Sequence, residues 1–359
     1  MRKKWLAALL AGVFLLSGTA PGVLAATASS APIAKAPAHL LVLGDSIASG
    51  YGLSDAATQC FGARLAAKFA LQPSDGYINL AVNGSTSQNW ADALNPSSSG
   101  ANATAVAAVK NADVILLSVG GNDVLGPFIG DLESALGLPP DATAAQFGAA
   151  LAANPNISAK MATLLSSADA QARYAGYVST FGKNLAAIAA SVRAENPSAA
   201  FYIQTVYNPF DGVPGYGALS EAAGTILGAL NQTITAGAAA GGYRVVDVAS
   251  AFAGKAPALT NIASGDIHPN AAGHAAIYNL YFQALGYDTA GSGSSSSSKA
   301  PDGSGASVSS SSEISPIVIA SSSAASVANP STGGSPVPAA ALLLCAAGAF
   351  ALILHRRRK

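Results

Sequence analysis

Cysteine is nearly missing from this 359-residue chain, which holds only Cys60 and Cys345. Cys345 falls inside a C-terminal apolar run, so no disulfide framework can hold a folded domain together, and an exported form must rely on its core. Cys60 reads as a reactive thiol or as a small buried apolar residue, and the usual burial of free cysteine favours the second. Charge is also scarce: Asp, Glu, Lys and Arg make up 10% of the chain, 18 basic against 18 acidic. Arg2, Lys3, Lys4, Arg356, Arg357, Arg358 and Lys359 sit in terminal segments expected to be removed, and setting those seven aside leaves 11 basic against 18 acidic, about −7. A mildly acidic surface argues against nucleic acid as a partner, because phosphate binding needs clustered Lys and Arg. A glycine-rich phosphate cradle with a Lys is lacking as well. Histidine is limited to four residues, one of them in the basic tail. The candidates for a general base are therefore His39, His268 and His274.

The two ends carry processing signals. Met-Arg-Lys-Lys precedes an apolar stretch from Trp5 to Leu16, and Val23-Leu24-Ala25 offers small residues at the −3 and −1 positions of a signal-peptidase site. This predicts a signal peptide over 1–25 and export; a membrane anchor is the competing reading, but the run is well short of the ~20 residues a spanning helix needs. At the other end stand Asn329-Pro330-Ser331-Thr332-Gly333, an uncharged apolar stretch over 337–354 and the tail His355-Arg-Arg-Arg-Lys359. This order over 329–359 resembles the cell-wall sorting signal of Gram-positive surface proteins. The resemblance implies cleavage by a sortase between Thr332 and Gly333 and attachment to peptidoglycan, with the apolar helix and its positive-inside tail holding the chain during processing. Asn329 stands where Leu is commoner. A permanent single-span anchor is the alternative, and detergent would extract that form. The segment 289–328 is dominated by Ser, Gly and Ala and reads as a flexible tether, unable to bury enough apolar surface to fold.

The remaining segment, 38–288, alternates short apolar runs with Ala-rich helical stretches. Leu40–Leu43, Tyr77–Val82, Val114–Val119, Phe201–Val206 and Tyr243–Val248 read as buried strands. Gly62–Ala70, Ala101–Asn111, Arg173–Glu195 and Ser220–Ala239 read as helices. Such alternation predicts one α/β domain, expected to be monomeric, with a parallel sheet covered on both faces and ligands at the carboxyl ends of the strands. The segment from Val124 to about Ala170, which contains Phe128 and Phe147, is long for a loop and is expected to form short helices over the site.

Four short blocks follow predicted strands or open a predicted helix. Leu40–Leu43 runs into Gly44-Asp45-Ser46, which puts a hydroxyl beside helix N-terminal amides able to stabilise an oxyanion; as a tripeptide alone it would suit any turn. Asn83-Gly84 is most often just a turn, but it also offers a backbone N–H that no side chain shields. In Gly120-Gly121-Asn122-Asp123 the glycines allow close approach and Asn122 offers an amide donor. In Asp266-Ile267-His268-Pro269-Asn270, the proline suits a first helical turn, so His268 is held at a helix entrance as a positioned base. His274 reads as structural and His39 as a strand-entry residue.

These four blocks, in this order over about 40–285, are similar to those of the SGNH (GDSL) hydrolase family, a group of lipases and acylhydrolases. The resemblance implies a flavodoxin-like three-layer α/β/α sandwich with a five-stranded parallel sheet. It implies Ser46 as nucleophile and His268 as base, with an oxyanion hole made by the Ser46 N–H, the Gly84 N–H and the Asn122 side chain. It implies neither metal nor organic cofactor. Many members place an Asp three residues before the His, where this chain has Gly265; Asp266, two before, or a backbone carbonyl near Gly265 is left to orient the ring. The Gly-x-Ser-x-Gly elbow is not formed, because position 48 is Ala. Activity on acyl esters is expected, with glycan deacetylation and a non-catalytic surface adhesin as alternatives.

Overall fold

The computed structural model describes residues 36–139, 142, 146, 149–150 and 153–287, with only the backbone of Ile129. The expected signal peptide, tether and sorting signal, including Thr332, Gly333 and the apolar stretch 337–354, lie outside the described residues, as does Phe147.

Five strands form the centre of the fold: β1 (Leu40–Gly44), β2 (Tyr77–Asn79), β3 (Val114–Ser118), β4 (Ala200–Gln204) and β5 (Arg244–Val246). All four pairings are parallel and the order is β2-β1-β3-β4-β5. Leu40 pairs with both Tyr77 and Val114, Val114 with Ala200, and Tyr202 with Arg244. The chain steps from β1 outward to β2 and then back across to β3, so the direction of winding reverses between β1 and β3. A crevice opens at the carboxyl ends of strands at such a reversal.

Side chains of a strand alternate between faces, and both faces here are apolar. Leu41, Leu43, Ile115, Leu117, Phe201 and Ile203 enter one core; Leu40, Val42, Val114, Leu116 and Tyr202 enter the other. This two-sided burial is why the strands read as continuous apolar runs. The first core is covered by α1 (Ser87–Leu94), α2 (Ala103–Asn111), α3 (Gly121–Leu136), α4 (Ile157–Leu165), α5 (Ala168–Glu195) and α6 (Gly217–Gly241). The second is covered chiefly by Phe61–Lys68 and by α7 (Ala271–Ala284). The result is the α/β/α sandwich of the SGNH hydrolases.

The boundaries shift for local reasons. The run Tyr243–Val248 ends as a strand at Val246, because Asp247 caps a short helix by accepting the Ser250 N–H at 3.1 Å. Tyr77–Val82 ends at Asn79, whose side chain accepts the Ala81 N–H at 3.0 Å, although Leu80 and Val82 still donate to Val42 and Gly44. Helix α5 starts five residues before Arg173, where Ser167 caps it through Ala170. The glycine block after β3 is already the first turn of α3, a 16-residue helix rather than a short cover segment. His39 precedes β1 and Cys60 is buried. His274 is buried, and burial with the nearby Arg64 and His268 charges lowers its pKa to about 4, so it is neutral.

Candidate active site

Where β1 ends, Gly44 packs against the end of β3 so closely that a Cβ there would lie 2.1 Å from the Ser118 carbonyl oxygen. The backbone can therefore turn directly into a four-residue helix, Ser46–Ser49, capped by Asp45, which accepts the Ile47 N–H at 3.0 Å. Ser46 occupies the first helical position, where no preceding turn supplies a carbonyl for its N–H. The chain enters α7 through Asp266-Ile267-His268-Pro269. Folding brings the two segments, 222 residues apart, into contact: His268 Nε2 lies 2.8 Å from Ser46 Oγ. Both side chains are buried.

The spacing of two between Asp266 and His268 is accommodated by an Asx turn. Asp266 Oδ1 accepts the His268 main-chain N–H at 3.0 Å and meets ring Nδ1 at 2.5 Å. The ring thus faces the Asp266 carboxylate, while Gly265 carries the turn before it at φ 82°. The other carboxylate oxygen, Oδ2, lies 3.5 Å from Asn261 Nδ2. Burial opposes ionisation of Asp266, but hydrogen bonds from His268, the charge of His268 and the Asn261 bond outweigh it and hold the carboxyl below its usual range.

Asn122 lines the same cavity as Ser46 and His268. One of its Nδ2 hydrogens goes to the Ser85 carbonyl at 2.9 Å, which leaves the other. Gly84 does not line that cavity, yet the loop around it is fastened to β1. Ser49 Oγ donates to Asn83 Oδ1 at 2.5 Å, and Ser85 Oγ donates to the Gly44 carbonyl at 2.8 Å. The Ser87 hydroxyl donates to Asp123, the residue after Asn122, and Asn184 donates to Ser87 Oγ at 3.0 Å. The loops after β2 and β3 are thereby locked to each other.

Beneath Ser46 runs a second polar system. Tyr281 donates to Gln204 at 3.2 Å, Gln204 to Ser118 Oγ at 3.0 Å, and Ser118 to Asp45 Oδ1 at 2.9 Å, all of them buried. Burial pushes the Asp45 carboxyl up to about 6, against the lowering effect of Ser118, the Ile47 N–H and the His268 charge.

Four neighbours of the pair carry no motif in the sequence. The Tyr51 ring centroid sits 4.6 Å from that of His268, tilted by 54°. Asn261 bonds the backbone on both sides of Asp266–His268, and the Tyr207 hydroxyl donates to the Ile267 carbonyl at 2.7 Å. Gly52, at φ +83°, lets the Asp266 carboxylate approach: a Cβ there would lie 2.8 Å from Oδ2. Only their folded positions, not any local pattern, mark them. Among the described residues no group of three or more His, Cys, Asp or Glu is placed to hold a metal, and no helix is long and apolar enough to cross a membrane.

From Ser46 a cavity extends between α3, α5 and α6. Its walls are apolar, with Val124, Leu125, Phe128, Phe210 and Leu227 among them.

The sheet order and its two helical layers define the SGNH hydrolase fold. Residues 42–276 match the profile of the GDSL-like Lipase/Acylhydrolase family, and the chain belongs to that family; it is a carboxylic ester hydrolase. Among solved structures it is similar to the lipase Lip_vut3 from a goat rumen metagenome, at 18% identity over 70% of this chain and 98% of that one, with a TM-score of 0.48. It is also similar to phospholipase A1 from Streptomyces albidoflavus NA297, at 18% identity over 70% and 100% of the two chains, TM-score 0.44. A third similar structure is the extracellular lipase from Streptomyces rimosus, at 20% identity over 69% and 99%, TM-score 0.44. A search of curated proteins finds no match.

Proposed function

We propose that this protein cleaves carboxylic esters through an acyl-Ser46 intermediate, with His268 as general base and Asp266 as the carboxylate that orients it. The observation that carries this reading is the 2.8 Å separation between Ser46 Oγ and His268 Nε2. Asp266 on Nδ1 favours the tautomer whose Nε2 is free to accept a proton. As Ser46 Oγ attacks the ester carbonyl its proton passes to Nε2, and the imidazolium so formed faces the Asp266 carboxylate. The tetrahedral oxyanion takes hydrogen bonds from the Ser46 N–H, the Gly84 N–H and the remaining Asn122 Nδ2 hydrogen. His268 then protonates the leaving alcohol. Water, deprotonated by the same ring, releases the acid. The apolar cavity beside Ser46 supports acyl chains as the recognised part of the substrate. The sorting-type sequence 329–359 favours a second reading, O-deacetylation of wall glycans, but an acetyl group would reach little of the apolar wall along α3.

Replacing Ser46 by Ala is expected to abolish labelling by a fluorophosphonate probe and to reduce cleavage of p-nitrophenyl esters by at least ~10³-fold. Retention of most activity would remove Ser46 as nucleophile, and an unlabelled, inactive wild type would favour a non-catalytic surface protein. We further propose that the domain is exported and displayed on the wall of a Gram-positive bacterium, a reading supported by segments 1–25 and 329–359. Muralytic digestion, and not detergent, is then expected to release it from cells.

A further inference from the structure

Resting on the acyl-Ser46 reading, we propose that Tyr174 is the end stop of the acyl-binding cavity and limits the acyl chain to about eight carbons. The cavity follows one stripe of α3: Gly121, Val124, Leu125 and Phe128 line it at the i, i+3, i+4, i+7 spacing of a single helix face. The next turn, Asp131 and Leu132, lies beyond the lining. At that level α3 is cross-tied to α5. The Tyr174 hydroxyl donates to Asp131 Oδ2 at 3.1 Å, and Arg173 Nη2 meets both Asp131 oxygens at 2.8 Å. The Tyr174 ring lines the cavity and is 4% exposed. A buried ring whose hydroxyl is fixed to the neighbouring helix cannot swing aside for a longer chain.

The depth follows from helix geometry. From Asn122, beside the nucleophile, to Phe128 the helix rises about 9 Å at ~1.5 Å per residue. An extended chain advances roughly 1.2 Å per bond, so about seven bonds, or roughly eight carbons, fill that length. Tyr174 occupies the terminal wall, and the Arg173–Asp131 pair does not depend on it. Shortening the side chain should therefore lengthen the cavity while the two helices stay joined.

The test is a series of p-nitrophenyl esters from acetate to myristate, assayed below micelle formation with the full chain and its variants, each first shown to label with a fluorophosphonate probe. In the wild type kcat/KM is expected to rise about three- to fourfold per methylene up to about octanoate. It should then fall at least tenfold by myristate. Tyr174→Ala should raise the laurate-to-octanoate ratio at least tenfold, with the gain in KM. Tyr174→Leu, which keeps an apolar side chain at the site, should do the same to a smaller degree. Tyr174→Phe keeps the ring but frees it from Asp131, so it should relax the octanoate limit less than either shortened side chain. A wild-type profile that climbs without a break to myristate overturns the proposal. So does a labelled, active Tyr174→Ala or Tyr174→Leu with the wild-type profile; either result leaves Ser46 as nucleophile intact. A wild type that neither labels nor cleaves any ester removes both readings together.

Discussion

Two aspartates flank the Ser46–His268 pair, each in a turn at the mouth of a helix, and their carboxyl groups shift in opposite directions. Asp45 precedes the serine, is 3% exposed, accepts from Ile47 and Ser118, and is pushed up to about 6 by burial. Asp266 precedes the histidine, keeps 20% of its side chain exposed, and is held below its usual range. Hydrogen-bond number does not separate them, since both accept at least two. What separates them is solvent and the nearness of the imidazole: Asp266 meets Nδ1 directly, whereas Asp45 is reached only by the field of His268. A carboxylate that must stay charged as an imidazolium forms beside it belongs at the rim. A carboxylate that must only cap the turn under the nucleophile can be buried, provided a donor from β3 reaches it, here the Ser118 hydroxyl that itself accepts from Gln204 of β4.

The largest effect should come from neutralising the rim carboxylate. Asp266→Asn keeps an oxygen for the His268 main-chain N–H but can no longer hold the ring with Nδ1 protonated and stabilise its positive form. A fall in kcat of about 10³–10⁴ is expected, with KM little changed. A loss smaller than tenfold would transfer the orienting role to a backbone carbonyl and undo the comparison.

A smaller effect should follow from crowding the same carboxylate. Gly52→Ala places a Cβ 2.8 Å from Asp266 Oδ2 and 3.0 Å from Asn261 Nδ2, at φ +83°. The backbone strain alone is about 1–2 kcal/mol, and the displaced carboxylate should reduce kcat/KM by roughly tenfold. Urea unfolding and steady-state rates measured together would separate the two, and wild-type kinetics in a destabilised variant would show that the carboxylate position is not critical.

The four blocks were legible because each is a local run of two to five residues just after a predicted strand or at the entrance of a helix, where side-chain type and backbone turn are encoded together. Strand–helix alternation implied a parallel sheet covered on both faces; the resemblance carried by those blocks added the flavodoxin-like form of the sandwich. What escaped reading acts across long sequence separations. Asn261 reaches the Gly52 carbonyl from 209 residues away, and Tyr174 reaches Asp131 over 43. Nothing near Gly52 in the chain announces the carboxylate it must make room for. The overlong strands Tyr77–Val82 and Tyr243–Val248 have a different cause, since apolarity continues past the point where Asn79 and Asp247 turn the backbone.

The smallest expected change, and the one that sharpens the contrast most, concerns Asp45. Its folded value of about 6 stands above the ordinary 3.8 of a free carboxyl, so between these the folded chain holds more protons than the unfolded one. Stability contributed at this site therefore falls as pH rises from about 4 to 6 and is level above that, by on the order of 3 kcal/mol in all. Asp266 runs the other way: its contribution is present above the unfolded value and is lost as pH falls through its depressed folded one. Ser118→Ala removes a donor that lowers Asp45 and leaves Gln204 without its acceptor. The Asp45 window should then extend above pH 6, and the stability gap between wild type and variant should widen between about pH 6 and 8. Tyr207, Tyr281 and His268 are the other titratable groups facing Asp45; burial raises both tyrosines well above their ordinary values, so neither titrates in that range. Urea unfolding at half-unit steps from pH 5 to 8 reads the gap directly. Parallel curves for the two proteins would mean that Ser118 does not govern the charge on Asp45, and the opposition between the two carboxylates would then rest on burial alone.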